Sequence, residues 1–332
     1  MEVLLTKDNS AQDREQGHVT VHYEGSPVKC DPSKSLLDNL LEQELPIEHC
    51  CKKGSCLTCV LKTEDEVESK SRDPLKSTLV EQGYFLSCQQ KPNDGMVIQS
   101  AAANDIFEEA LVTEMIQKSG HVSQIFIKPY GDFLYKPGQF LNIRGPEGAV
   151  RSYSIASLPS DNILELHVKE HQFGIVSRWL CSSELLGKEV EISGPGGDCF
   201  YLPGKEDQSM LMIGTGTGLA PMMGILRDAK NNNHKGNIEL YFGAVNEEGL
   251  YMRSELLALE KECDNLTVHF GTLEDGPINE MALKNHPDLS GWRVFLCGDP
   301  DMVKKTKTKA YLADAALTDI YSDPFDVRDV TL

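Results

Sequence analysis

The sequence predicts three domains in series: a small cysteine-bearing α/β domain, a small antiparallel β-barrel and a doubly wound parallel α/β domain. Three textures predict it. A tight run of cysteines follows a strand-like start and a leucine-rich helical stretch. From Glu108 to Tyr201, short strands alternate with Gly/Pro turns and one helical segment, as in a small antiparallel barrel. From Ser209 onward, apolar strands alternate with helical stretches, the pattern of a parallel sheet covered by helices. A chain of 332 residues is long enough for two or three domains.

In chain order, residues 1–16 read as a loose polar tail. They lack a basic start followed by an apolar core, so they do not read as a signal peptide. The first domain is expected over 17–103. His18 to Glu24 alternates as a strand, and Gly25-Ser26 turns it into Pro27–Cys30. Ser35 with Asp38 three residues later is a capping pair. Leu36, Leu37, Leu40 and Leu41 then form one helical face, which reads as core. An acidic loop, TEDEVESK, follows the cysteines. Val97 to Gln99 closes the domain and Ser100–Asn104 reads as a linker.

The barrel is expected over 104–206, with a helix-like FGIVSRWLCSSEL inside it, and the parallel domain over 207–332. The apolar run Met210 to Leu226 is broken by glycines and a proline, so it reads as strand, turn and helix rather than a membrane span. The formal charge is 32 − 51 = −19, which disfavours nucleic acid and suits a basic protein partner. Ten cysteines with no sign of secretion indicate a reducing cytoplasm.

Cys51, Cys56 and Cys59 stand at C-x4-C-x2-C spacing, with Cys88 downstream. Three thiolates on one loop can ligate two irons from one side, and a fourth arrives from elsewhere. Gly54 suits a loop whose backbone N–H groups approach sulfur. Structural zinc normally uses two C-x2-C pairs, and a disulfide set needs an oxidising compartment, so both fit less well. This stretch resembles the plant-type 2Fe–2S ferredoxin domains, which implies a β-grasp fold and Cys51, Cys56, Cys59 and Cys88 as the cluster ligands. Two features depart from that family. Leu57 stands where it usually has Gly, and Cys50 is an extra thiol beside the first ligand.

On a barrel strand, RSYS places Arg151 and Tyr153 on one face. An arginine can hold a diphosphate and an aromatic can lie on a ring system, although the same pattern serves a plain half-exposed strand. Gly174 and Ser177 open a helix, which suits an anion site or a simple cap. Later, GTGTGLAP (Gly214 to Pro221) joins a strand to a helix, and Cys297-Gly298 ends another strand, where ligands of such sheets bind. Alone, Cys297 would read as a buried apolar thiol.

In this order the motifs resemble the ferredoxin–NADP reductase superfamily. By that resemblance Arg151 and Ser177 contact the FAD diphosphate, with Gly174 and Val176 beside them. Tyr153 and Ser154 flank the isoalloxazine, and His167, Val168 and Lys169 line the ribityl and phosphate region. Gly214, Gly216, Thr217, Gly218 and Pro221 cradle the nicotinamide nucleotide. Cys297, Gly298 and Met302 lie where nicotinamide meets flavin, and Phe325 is a further flavin neighbour. Tyr153, Ser154 and Cys297 are the expected catalytic set.

The three-module order resembles the reductase components of naphthalene dioxygenase, benzoate dioxygenase and soluble methane monooxygenase. It resembles CDP-6-deoxy-glucoseen reductase equally. The implied function is an NADH-dependent oxidoreductase of the cytoplasm, monomeric on its own. It passes electrons from NADH through FAD and a 2Fe–2S cluster to a partner oxygenase or hydroxylase. A reductase for an iron–sulfur dehydratase and a non-turnover redox sensor are the alternatives. NADH is preferred over NADPH because Asn246-Glu247-Glu248 follows the second strand of the parallel domain, where carboxylates repel a 2′-phosphate. Glu64, Asp65, Glu66 and Glu68 form a candidate docking face.

Overall fold

Strands Val19–Tyr23 (β1) and Ser26–Cys30 (β2) pair antiparallel with Tyr23 opposite Ser26. The two residues between them, Glu24 and Gly25, both take positive φ, 49° and 78°, as a tight two-residue hairpin requires. The turn is therefore one residue earlier than the Gly25-Ser26 expected, and Ser26 already belongs to β2. The computed structural model describes residues 17–49, 51–54, 56–75, 77–101 and 106–325. The expected polar tail, most of the linker and Cys50 lie outside them.

The described chain forms two units. The first takes Met1–Ile47, Lys52–Gly54 and Cys59–Ala101; the second takes Glu48–Cys51, Ser55–Thr58 and Ala102–Leu332. In the first, helix Leu36–Glu42 (α1) is capped by Ser35, whose Oγ accepts the Asp38 N–H at 3.1 Å. It buries Leu36, Leu37 and Leu40 completely. Strands Val60–Lys62 (β3), Tyr84–Leu86 (β4) and Val97–Ser100 (β5) complete a mixed sheet ordered β2-β1-β5-β3-β4, and helix Ser77–Glu81 (α2) lies between β3 and β4 in the chain. A mixed five-stranded sheet with a helix crossing it is the expected β-grasp arrangement.

The second unit holds the barrel and the parallel sheet. Strands Glu108–Gln117 (β6), Val122–Pro129 (β7), Phe140–Arg144 (β8), Val150–Ser154 (β9), Leu164–Lys169 (β10) and Glu189–Gly196 (β11) run in the order β10-β7-β6-β11-β8-β9. All pairings are antiparallel. An Ile155–Leu166 bridge joins the two outer strands and closes the barrel. Ile125, Ile127, Leu141, Ile143 and Leu166 fill it. Helix Ile175–Leu180 (α3) follows β10 and is shorter than the sequence suggested; a 3₁₀ turn, Ser183–Leu185, takes up the rest.

The parallel sheet alternates strand and helix: Met210–Thr215 (β12), Leu219–Asn231 (α4), Ile238–Ala244 (β13), Arg253–Glu262 (α5), Leu266–Thr272 (β14), Ile278–Asn285 (α6), Arg293–Gly298 (β15), Pro300–Leu312 (α7) and Ile320–Pro324 (β16). Its order is β14-β13-β12-β15-β16. The chain winds one way from β12 and then crosses to β15, so the crevice between the ends of β12 and β15 is the topological switch point. No helix among the described residues is long and apolar enough to cross a membrane.

A buried polar chain links barrel to parallel sheet within this unit. Glu165 on β10 is 5% exposed. Its carboxylate accepts from Gln124 Nε2 (2.7 Å), His167 Nε2 (2.9 Å) and Arg227 of α4 (2.6 Å). With Nε2 donating to Glu165, the neutral imidazole leaves Nδ1 to accept the Tyr251 hydroxyl at 2.9 Å. Burial pushes the Glu165 carboxyl up, but His167 and Arg227 outweigh it and bring it down to about 2. For His167, burial dominates and lowers its affinity for a proton, against the pull of Glu165.

Both groups bind protons more weakly folded than unfolded, so both contribute stability that is lost on acidification. The His167 contribution fades as pH falls below the unfolded histidine range near ~6.5, and that of Glu165 as pH falls from the unfolded carboxyl range near ~4.3 toward its folded value. Glu165→Gln is expected to cost roughly 3 kcal/mol at neutral pH, the low end for breaking a buried pair because Arg227 is partly exposed. Thermal unfolding should show the largest gap from wild type near pH 7, narrowing below about pH 4 and closing only as pH falls to about 2; a gap that is constant across this range would refute the account.

Candidate functional site

The cysteine loop is built by backbone donors. Cys51 N–H points at Cys56 Sγ, and Cys56 N–H points back at Cys51 Sγ, each at 3.3 Å. Thr58 Oγ1 lies 3.0 Å from Cys56 Sγ. Separately, Ser87 gives both its N–H (3.0 Å) and its hydroxyl (2.8 Å) to the Cys59 carbonyl, seating Cys88 next in the chain, and Gln89 Nε2 donates to Cys88 Sγ at 3.4 Å. The Cys51 and Cys56 thiols are thus paired, and the Cys59 backbone is tied through Ser87 to the segment that carries Cys88. A cluster of two irons takes two thiolates on each, and N–H groups aimed at sulfur stabilise its negative charge, so this donor set fits a 2Fe–2S cluster. Among the described residues no three Cys, His, Asp or Glu side chains gather round one point.

Leu57 takes φ 57°, the left-handed conformation that glycine adopts freely. The leucine accepts the strain of that conformation, about 1–2 kcal/mol.

The flavin candidates surround β9. Tyr153 and Arg151 are half-buried, and Arg151 spends one N–H on the Val150 carbonyl at 2.7 Å. Ser154 is 7% exposed and donates to Asp323 Oδ2 at 3.4 Å. Ser177 Oγ accepts the His171 N–H at 3.2 Å and folds the loop before α3, leaving its own proton to give. Five expectations need correction at the level of the side chain. The Cys297 side chain is fully buried in the core, with its Sγ 3.3 Å from that of Cys199. Val168 and Val176 are buried in the barrel core, so they offer a ligand backbone only. His167 is sealed between Glu165 and Tyr251, because its ring satisfies a buried carboxylate. Met302 packs in the outer core of the parallel sheet. Lys169, at the free end of β10, is exposed as a ligand-facing lysine should be.

The nicotinamide candidates form a close-fitting cradle at the switch point. Gly214 is the last residue but one of β12, and Gly216–Gly218 makes a 3₁₀ turn into α4, with Pro221 in its first turn. A Cβ on Gly218 would stand 2.4 Å from the Cys297 carbonyl oxygen, closer than atoms can come. Gly298 has φ 119°, and a Cβ there would stand 2.4 Å from Thr215 Oγ1. The two loops therefore touch backbone to backbone, the close approach a pyrophosphate-binding turn needs. Phe325 donates its N–H to the Gly298 carbonyl at 2.8 Å, so the chain's last described residue lies against the same motif.

After β13, Asn246 caps a 3₁₀ turn by accepting the Gly249 N–H at 3.1 Å. Glu247 pairs with Arg253 at 3.0 Å, and Glu248 accepts the Gly120 N–H at 3.2 Å. The Arg253 guanidinium also sits 4.7 Å from the Phe270 ring centroid. Neither carboxylate is the free repulsive charge the sequence suggested. Sequence reasoning missed Asp323, Cys199 and Arg253. Asp323 stands two residues before Phe325, but only the β15–β16 register brings it opposite Cys297.

These sites define an oxidoreductase with flavin, nicotinamide and iron–sulfur modules. Family models match in that sense: a 2Fe-2S iron-sulfur cluster binding domain over 19–93, an oxidoreductase FAD-binding domain over 113–201 and an oxidoreductase NAD-binding domain over 212–308. The chain is 30% identical to the Pseudomonas putida naphthalene 1,2-dioxygenase system ferredoxin–NAD(P)+ reductase component, over 88% of this chain and 93% of that one. It is 29% identical to the reductase subunit of an Amycolatopsis aromatic O-demethylase, over 84% and 90%. Among solved structures, the Amycolatopsis cytochrome P450 reductase GcoB aligns at TM-score 0.65 and 26% identity, over 92% and 98%. The chain belongs to the family of ferredoxin–NAD(P)+ reductase components of oxygenase systems.

Gly218→Ala tests the cradle. Forcing a methyl against the Cys297 carbonyl is expected to slow NADH reduction of the flavin by on the order of tenfold or more, about 1.4 kcal/mol. The visible flavin and cluster spectra should stay intact. Unchanged reduction kinetics would show that these loops do not hold the nucleotide.

Proposed function

We propose that this chain takes electrons from NADH and delivers them singly to an oxygenase-type partner, in the cytoplasm. The observation that carries the proposal is that the paired thiols and the cradle between β12 and β15 are both intact in one chain. FAD, when bound, accepts a hydride as two electrons, and the 2Fe–2S cluster passes them on one at a time. The chain's own residues bind and orient. Arg151 and Ser177 hold the diphosphate, and Tyr153 and Ser154 set the ring face. The Gly214–Gly218 turn and Gly298 bring the nucleotide to the end of β15. No side chain need donate or take a proton for a hydride to pass.

The partner is drawn from the relatives, whose names cover dioxygenase, monooxygenase and P450 systems. Of the acidic docking residues, Asp65 is occupied in accepting the Val97 N–H (2.7 Å). Glu68 binds Lys70 (2.8 Å) and the Lys91 N–H (3.3 Å). Glu64 and Glu66 are exposed and remain the candidates for steering a basic partner.

The reconstituted holoprotein should reduce both ferricyanide and cytochrome c with NADH. Cys59→Ser should lose cytochrome c reduction on the order of tenfold more than ferricyanide reduction, since only the first needs the exit through the cluster. Equal losses would overturn the proposed route.

Coenzyme choice rests on Glu247 and Arg253. An arginine after the second strand can hold a 2′-phosphate, and here Glu247 neutralises it. Glu247→Gln is expected to raise the NADPH/NADH ratio of kcat/KM by roughly tenfold, and Arg253→Ala in the same chain should abolish the gain. An unchanged ratio would remove the physical basis for NADH preference.

A further inference from the structure

Cys199 and Cys297 lie 98 positions apart in sequence, yet their Sγ atoms are 3.3 Å apart. Both are free thiols, 2% and 0% exposed. Two small buried thiols can simply fill a core gap. Their place argues for more. Cys297 is the last residue but one of β15, and its carbonyl is the atom a Cβ on Gly218 would strike. Asp323, opposite it on β16, receives the Ser154 hydroxyl from the flavin strand. The Cys199 backbone is held as tightly: Gly138 approaches so closely that a Cβ there would lie 2.5 Å from the Cys199 carbonyl.

We propose that Cys199 and Cys297 form a dithiol–disulfide modification site that closes under hydrogen peroxide and stops hydride entry. The gating half rests on the reading that places Cys297 at the nicotinamide. One thiol displaces water from the peroxide, becoming a sulfenic acid. The second thiol displaces water from that sulfenic acid and forms the S–S bond. The two thiols together lose two electrons and two protons, and the peroxide leaves as two waters. A dithiol reductant reverses the reaction by exchange.

The sulfurs need to approach by only about 1.2 Å to reach a bond of ~2.05 Å. With both backbones pinned, closing the bond strains the Cys297 backbone and loads its contact with Gly218. Burial first, then Cys199 and Asp323, hold the Cys297 thiol protonated well above the ordinary thiol range. The protonated thiol reacts slowly, and closure speeds up as pH rises. Electrons that reach dioxygen instead of the partner leave as peroxide, so an idle reductase would generate its own off signal.

The test uses the holoprotein exposed to hydrogen peroxide, with free thiols then alkylated and the unreduced digest analysed by mass spectrometry. A Cys199–Cys297 linked peptide is expected, lost on dithiothreitol treatment and absent in Cys199→Ser. In stopped flow, flavin reduction by NADH should fall at least tenfold after peroxide and recover with dithiothreitol. Cys199→Ser should keep its rate through the same treatment. Following the flavin rather than an acceptor excludes damage to the cluster. Absence of the linked peptide would overturn the pair itself. A linked peptide with unchanged flavin reduction would overturn the gating alone; the nucleotide-site reading fails separately, if Gly218→Ala leaves NADH reduction of the flavin unchanged.

Discussion

Everything at the switch point depends on one buried carboxylate. Glu165 accepts hydrogen bonds from Gln124 on β7, from His167 on its own strand and from Arg227 on α4. A buried charge deprived of a partner costs several kcal/mol, so the barrel and the parallel sheet of the second unit cannot slide apart without opening this chain. The consequence appears at the far ends of their strands. Ser154, closing β9, reaches Asp323 on β16, and Phe325 reaches Gly298 at the end of β15. Hydride transfer demands placement to a fraction of an ångström. A polar lock between barrel and sheet would serve that demand without itself lying at the strand ends.

The same economy governs the cradle. At Gly218 and Gly298 two backbones meet where no side chain fits, so a nucleotide there would face peptide groups rather than rotamers. Strand ends buried on both faces, as all six residues of β15 are, leave little freedom to lose on binding. The adjoining cap, Asp299 Oδ1 accepting the Met302 N–H at 2.8 Å, fixes α7 directly after the motif. Met302 thus serves the motif from behind, through the helix start.

The long periodic elements were legible in the sequence, and the reason is length. The leucine face of α1, the run that becomes β12 and α4, and the strand–helix alternation each repeat enough to reveal their period. Strands β3 and β4, three residues each, and helix α2, five residues, were invisible because so few residues fix no period; α6 was missed although its eight residues outnumber the seven of α1. Among site residues, motifs told which backbone segments converge but not where side chains point. The His167–Lys169 segment was found, yet its histidine turns inward because a carboxylate two residues earlier on the same face needs a donor. Cys199 and Asp323 carried no local signal. Their significance lies in contacts across 98 and 169 positions, which only the closed fold supplies.

Leu57 separates what a motif requires from what it merely favours. The loop needs a left-handed residue between Cys56 and Cys59, and glycine supplies it without strain. Here a leucine supplies it at φ 57°, and the reciprocal N–H···S contacts of Cys51 and Cys56 remain. The conformation therefore goes with the reciprocal Cys51–Cys56 contacts and not with the preference of the residue that adopts it. A penalty of about 1–2 kcal/mol is tolerable where metal binding contributes several times that to folding. Departure from the family's residue at such a position is then no sign of a lost cluster. The informative departures would be in the thiols and their donors, and all four thiols are in place.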